Sequence, residues 1–196
     1  MTMGRPREFN VEHALDKALN VFWRNGYEGT SIADLTEAMG INPPSLYAAF
    51  GNKEKLFHKA LERYAQQVTS YWNEAIEKPT ARGMAEHLLR KSADFLSEEC
   101  NPPGCMMVRT AMQCSAAEES IERELASRRA TGEVMLRERL ATAKDQGELP
   151  ADLDPQDYAR YLMTVLEGMS VRSANGSSRE ELHKIADMAL RTWPAP

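Results

Sequence analysis

Residues 40–51 read GINPPSLYAAFG, twin prolines set between two glycines. Pro43 has a fixed φ and no N–H to donate, so it belongs in the first turn of a helix and nowhere deeper. Asn42 before it is a good N-cap, and Gly51 is a natural stop. The stretch can therefore hold only a short helix of about two turns. Its apolar residues are too few for a good core helix. The purpose of so short and so firmly started a helix lies in what its other face presents.

Around it the chain reads as helices nearly throughout. Val11, Ala14, Leu15, Ala18, Val21 and Phe22 recur at helical spacing behind Asn10, and Gly26 stops that helix. Ser31 with Asp34 resembles a capping box, opening a helix with Ile32, Leu35, Ala38 and Met39 on its apolar face. A long helix follows from about Lys53 to Glu77, with Leu56, Ala60, Tyr64 and Val68 inward. Pro79 and CNPPG (100–104) break the chain on either side of a helix over about 80–99. A short helix over about 105–114 precedes a long one over about 116–146, opened by a Ser115–Glu118 capping box. Asp154 and Pro155 start the next helix, and Ser178 with Glu181 caps the last. No alternating β-branched run is long enough for a strand. The expectation is an all-α fold of about nine helices, with an N-terminal unit over 1–55 and a larger unit over 56–196.

Several function classes fall away. No apolar run approaches the roughly 20 residues of a membrane span, and MTMGRPREFN lacks the apolar core of a signal peptide. A cytoplasmic location is expected. Cys100, Cys105 and Cys114 are odd in number and in no CxxC spacing, which argues against a disulfide framework and a zinc site. His13, His58, His87 and His183 are scattered. No metal, cofactor or catalytic residue is expected, and no enzyme.

Two helices joined by a tight turn at Gly40, the second one short, form the arrangement of a helix-turn-helix, whose second helix enters the major groove of DNA. Asn42, Ser45, Tyr47, Ala48 and Ala49 supply the polar or small face a groove demands, while Leu46 and Phe50 turn back toward Leu35, Met39 and Leu56. Pro43 and Pro44 set the entry angle and leave the helix N-terminus facing phosphate. Lys53 can reach a backbone phosphate. Charge agrees: residues 1–60 hold seven Lys and Arg against seven Asp and Glu, so the whole net charge of -5 lies in 61–196. Arg5 and Arg7, in the arm GRPRE, can reach a minor groove or a phosphate, or else form a solvated terminus. The plainer reading of the whole stretch is one short connecting helix in an ordinary bundle.

The stretch GYEGTSIADLTEAMGINPPSLYAAFGNKEKLF (26–57) resembles the DNA-binding domain of TetR/AcrR-family transcriptional repressors. Phe22, Gly26-Tyr27, Thr30-Ser31-Ile32, Leu35, Gly40, Ser45-Leu46-Tyr47, Phe50, Lys53 and Leu56 match together in order over about fifty residues. The resemblance implies an all-helical homodimer that binds double-stranded operator DNA through its N-terminal helices. It implies phosphate contacts from Thr30 and Ser31, and a recognition-helix front of Asn42, Pro43, Pro44 and Ser45. Tyr47 and Lys53 would hold the backbone. Ala48 and Ala49 stand where family members often carry larger groups, a departure that leaves base readout open.

The resemblance further implies that the last two helices pair with those of a second copy. Their stripes are Tyr158, Tyr161, Leu162, Val165, Leu166 and Met169, then Leu182, Ile185 and Ala189. The alternative is that they only close the subunit core. In CNPPGCMMVRTAMQC (100–114), three cysteines and three methionines crowd a double-proline break. Met adapts to irregular apolar ligands, so a pocket of Trp72, Phe95, Met106, Met107, Met112, Met135 and Met163 is one reading and plain core packing the other. Cys105 starts a helix, where its thiol pKa would fall, with Arg109 placed to assist. Gly104-Cys105 also resembles the sensing junction of some electrophile-responsive family members. A buried, inert thiol is the alternative.

The expected function is a ligand-responsive regulator, a repressor released by a small apolar or thiol-reactive effector. An activator of the same fold and a helical protein-binding adaptor are the rivals.

Overall fold

The computed structural model describes residues 9–113 and 119–194, and among these there are nine helices and no strand. They are α1 (Val11–Asn25), α2 (Ile32–Met39), α3 (Pro43–Phe50), α4 (Lys53–Ile76), α5 (Ala81–Leu96), α6 (Met106–Gln113), α7 (Glu119–Asp145), α8 (Pro155–Ala174) and α9 (Arg179–Arg191). None of the described helices is long and apolar enough to cross a membrane. The arm carrying Arg5 and Arg7, the Ser115–Glu118 box and Cys114 lie outside the described residues.

The expected caps Asn10, Ser31, Asn42 and Ser178 each accept the backbone N–H three residues on, Asp154 accepts the one two residues on, and Asn52 and Thr80 cap α4 and α5 in the same way. Each bond satisfies a donor that the helix itself leaves unpaired.

The first core is aromatic. Phe22 and Trp23 of α1 meet Phe57 and Tyr64 of α4, edge to face, with ring centroids 5.2 Å apart for Phe22–Phe57 and 4.8 Å for Trp23–Tyr64. Leu35, Leu46 and Phe50 attach α2 and α3 to it. The second core joins α5, α7, α8 and α9 through Met84, Leu88, Leu89, Leu136, Leu140, Met169 and Leu182. α4 serves both, with Leu56 to Tyr64 in the first and Tyr71, Trp72 and Ile76 against the second. Met106, Ile121 and Leu125 bring α6 and the start of α7 into the first core. α4, α6 and the start of α7 thus tie the smaller N-terminal group of helices to the larger C-terminal one.

Candidate nucleic-acid interface and the cavity behind it

α2 opens on a full capping box. Ser31 Oγ accepts from the Asp34 N–H at 3.1 Å, and Asp34 Oδ2 accepts from the Ser31 N–H at 2.8 Å. The side-chain and backbone hydrogen bonds from Ser31 hold the Asp34 carboxyl below its usual range. α2 closes on Gly40 in the left-handed region, where the Gly40 N–H reaches Glu37 O and the Ile41 N–H reaches Thr36 O. That paired closure is compact and needs a residue without a Cβ penalty. It fixes the angle at which α3 departs.

α3 divides cleanly. Leu46 and Phe50 are buried, while Asn42, Pro43, Pro44 and Ala48 are exposed and Tyr47 is 48% exposed. Ser45 is half-buried, its N–H held by Asn42 Oδ1 at 2.9 Å, and Ala49 leans on the core. Lys53 Nζ sits 4.3 Å from the centroid of the Tyr27 ring, a cation–π contact that steadies the ammonium at the foot of α4. One expected contact fails. Thr30 is only 1% exposed, and its hydroxyl donates to Gly26 O at 2.7 Å, so its side chain is spent on closing α1 and is turned away from any phosphate. Ser31 remains exposed at the helix start.

Behind this surface lies a cavity of about 400 Å³ bounded by α4, α5, α6, α7 and α8. Trp72, Phe95, Cys105, Met107, Met135 and Met163 line it, as the sequence suggested. Two of the expected methionines do not. Met106 is wholly buried in the first core, and Met112 is 71% exposed. α6 buries the face of Met106 and Thr110, and a residue two positions after Thr110 lies across the helix from it. The sequence reading missed Tyr71, Gly132, Leu166 and the charged pair Arg129 and Glu167. Tyr64 and Val68, already read as inward, point to Tyr71 and Trp72 one turn on; the residues of α7 have no comparable apolar stripe to betray them.

Cys105 is where the cavity meets the N-terminal core. The Tyr64 hydroxyl donates to Sγ at 3.0 Å, and the Cys105 N–H donates to Ser170 Oγ of α8 at 2.8 Å. Next to it, Gly104 has φ +85° and donates its N–H to Ser173 Oγ. Gly104 O accepts from Trp23 Nε1 of α1 at 2.8 Å in a buried bond. The expected thiol activation does not appear. Burial pushes the Cys105 thiol up, outweighing the hydrogen bond from Tyr64 and those from the Val108 and Met107 N–H groups. Arg109 is turned away, donating to Arg24 O at 2.6 Å, where it closes the end of α1.

The stripes expected at a dimer face are split by burial. Leu162, Met169, Leu182 and Ala189 are buried inside their own subunit, so none of these four is open to a second copy, and the half-buried Leu166 lines the cavity. Tyr158, Val165 and Ile185 are half-buried and Tyr161 is exposed. Met188, which the sequence reading passed over, is 57% exposed three residues beyond Ile185. Helical spacing alone could have found it.

Comparison with known proteins agrees with this geometry. Residues 14–60 match the family model described as bacterial regulatory proteins, tetR family, and residues 86–189 match the tetracyclin repressor-like C-terminal domain. The chain is 37% identical over 194 residues to the HTH-type transcriptional repressor ComR of Escherichia coli K12, covering 97% of this chain and 92% of that one. It is 29% identical to the repressor BdcR of the same organism, over 95% and 90% of the two chains. Among solved structures, the TetR family transcriptional regulator CifR, a cysteine mutant complexed with a 26 bp double-strand operator DNA, superposes with a TM-score of 0.90. That pair shares 40% identity over 97% of this chain and all of the other.

Proposed function

The chain belongs to the TetR family of transcriptional regulators, and from that premise we propose that it is a homodimeric repressor that leaves a palindromic operator when a small apolar molecule fills the cavity. In this reading residues 1–55 grip DNA, and residues 56–196 carry the cavity and the dimer face. The observation that carries it is the division of α3. A helix that commits Leu46 and Phe50 to the core yet leaves Tyr47 half in water presents a face with no task inside the subunit. Asn42, Pro43, Pro44, Ser45 and Ala48 complete the groove face, Ser31 and Lys53 flank it on the phosphates, and Arg5 and Arg7 add arm contacts.

Release follows as a shift of populations. An occupant favours the arrangement of α4, α6 and α8 that best encloses it. Because Gly104 O holds Trp23, the same choice is felt by α1. The two recognition helices then no longer match successive grooves, and both half-sites are lost together. Cys105 on the same wall offers an electrophile only a neutral thiol of raised pKa, so modification of its sulfur is the slower, second route.

The test is fluorescence anisotropy with DNA from upstream of the protein's own gene at two salt concentrations. Tight binding that falls steeply with salt is expected, since phosphate contacts release counterions. Lys53→Ala should weaken binding and lower the slope of log affinity against log salt by about one. Tyr47→Ala should weaken binding with little change in melting temperature, because the side chain packs on little. Salt-insensitive or absent binding would favour the protein-binding adaptor, and variants that bind like the parent would move the DNA contacts away from α3 and Lys53.

A further inference from the structure

The cavity is carbon-lined over most of its wall, but two charged side chains enter it with nothing to hold. Arg129 of α7 and Glu167 of α8 both line it, and among the described residues neither makes a hydrogen bond or an ion pair. Their neighbour Arg128 shows what satisfaction looks like here: it donates to Glu124 Oε1 at 2.7 Å and to Glu62 Oε2 at 3.1 Å. α7 and α8 pack against one another and bring Arg129 and Glu167 to the same cavity. Glu133 of α7 meets Gln156 and Arg160 of α8, so one turn back along α7 lies level with one or two turns onward along α8. Two opposite charges thus border one cavity without pairing with each other.

Resting on the reading of this cavity as the effector site, we propose that its effector is a neutral, mainly hydrocarbon molecule bearing one hydroxyl group, an alcohol or phenol. The hydroxyl accepts from the Arg129 guanidinium and donates to the Glu167 carboxylate. One oxygen can do both, and it satisfies both side chains at once. A carboxylate would gain Arg129 but stand against Glu167, with Glu62 and Glu124 already neutralising Arg128. An ammonium would meet the reverse conflict. A pure hydrocarbon would bury the wall aromatics but strip water from two unpaired charges, which is costly. The hydrocarbon part belongs against Trp72, Phe95 and Met135.

Isothermal titration calorimetry of the full-length protein with 4-butylphenol, butylbenzene and 4-butylbenzoate tests this, with release of operator DNA followed alongside. The phenol should bind about tenfold more tightly than butylbenzene, the gain expected of hydrogen bonds to charged partners. Arg129→Met and Glu167→Met should each abolish that preference, with butylbenzene binding more tightly than to the parent because one charge fewer loses its water; a merely structural role for either residue would weaken both compounds alike. Equal affinities for the phenol and butylbenzene would overturn the proposal and leave the cavity an apolar effector site. Tightest binding of the benzoate would overturn it in favour of an anionic effector. If no compound binds or releases DNA, both the proposal and the effector reading of the cavity fall.

Discussion

At position 105 two effects oppose each other within one side chain. Hydrogen bonds from Tyr64 and from the first N–H groups of α6 favour a thiolate, while burial disfavours it and prevails. Sulfur there is consequently a neutral wall atom near pH 7. Alkylation by iodoacetamide, followed by peptide mass spectrometry, should modify the exposed Cys100 well before Cys105. The lag of Cys105 should shrink only as pH rises beyond the ordinary thiol value of 9.0. The sign carries over to stability. A thiol whose folded pKa is raised contributes fully below the unfolded value and loses that contribution as pH climbs through the folded one, so ionising Cys105 weakens the fold in alkali. For the electrophile route, a quinone should release operator DNA from the parent and fail to do so from Cys105→Ser; full release from that variant would remove the route. The same position shows what local sequence cannot reveal. Helix-start chemistry predicts a lowered pKa, and Arg109 stands one turn along to help, yet packing buries the sulfur and sends the guanidinium to Arg24 O.

Between elements, the Trp23–Gly104 bond is a single polar tie between α1 and the loop that leads into α6. Trp23→Phe keeps an aromatic ring against Tyr64 and Phe95 but removes the donor, leaving a buried carbonyl unpaired. The expected cost is about 1–3 kcal/mol, read as a lower melting temperature by roughly 2–4 °C for each kcal/mol in a chain of this size. A melting temperature equal to the parent's would show that the tie is not felt. If the tie also transmits cavity occupancy, the variant should bind a cavity occupant normally yet release DNA less completely. Caps and helix limits were legible because they depend on neighbours three residues away: Ser31 with Asp34, Asn42 with Ser45, Ser178 with Glu181. The Trp23–Gly104 tie spans 81 positions of sequence and left no local mark.

For the whole molecule, the proposed homodimer requires a face that meets its second copy. Tyr158, Tyr161, Val165, Ile185 and Met188 are the candidates that burial leaves open, and Met188→Glu should shift sedimentation from twice 22.0 kDa toward a single chain. Operator affinity should fall with it, because one recognition helix cannot hold two half-sites. A variant that stays dimeric would place the interface elsewhere. The sequence by itself determined the all-α class, the helix starts and stops and the short α3 with its divided faces, since turn chemistry and periodicity act over a few residues. For Trp72, Phe95, Met107, Met135 and Met163 it offered a cavity wall and plain core packing alike, and the structure places them on the wall. Only the tertiary structure decided that Thr30 turns inward, that Met106 fills a core and Met112 faces water, and that Leu162, Met169 and Leu182 close their own subunit. It alone brought Arg129 and Glu167 to one cavity. The reason is common to all of these: helical spacing states which residues share a face, but which neighbour that face meets depends on how distant helices pack.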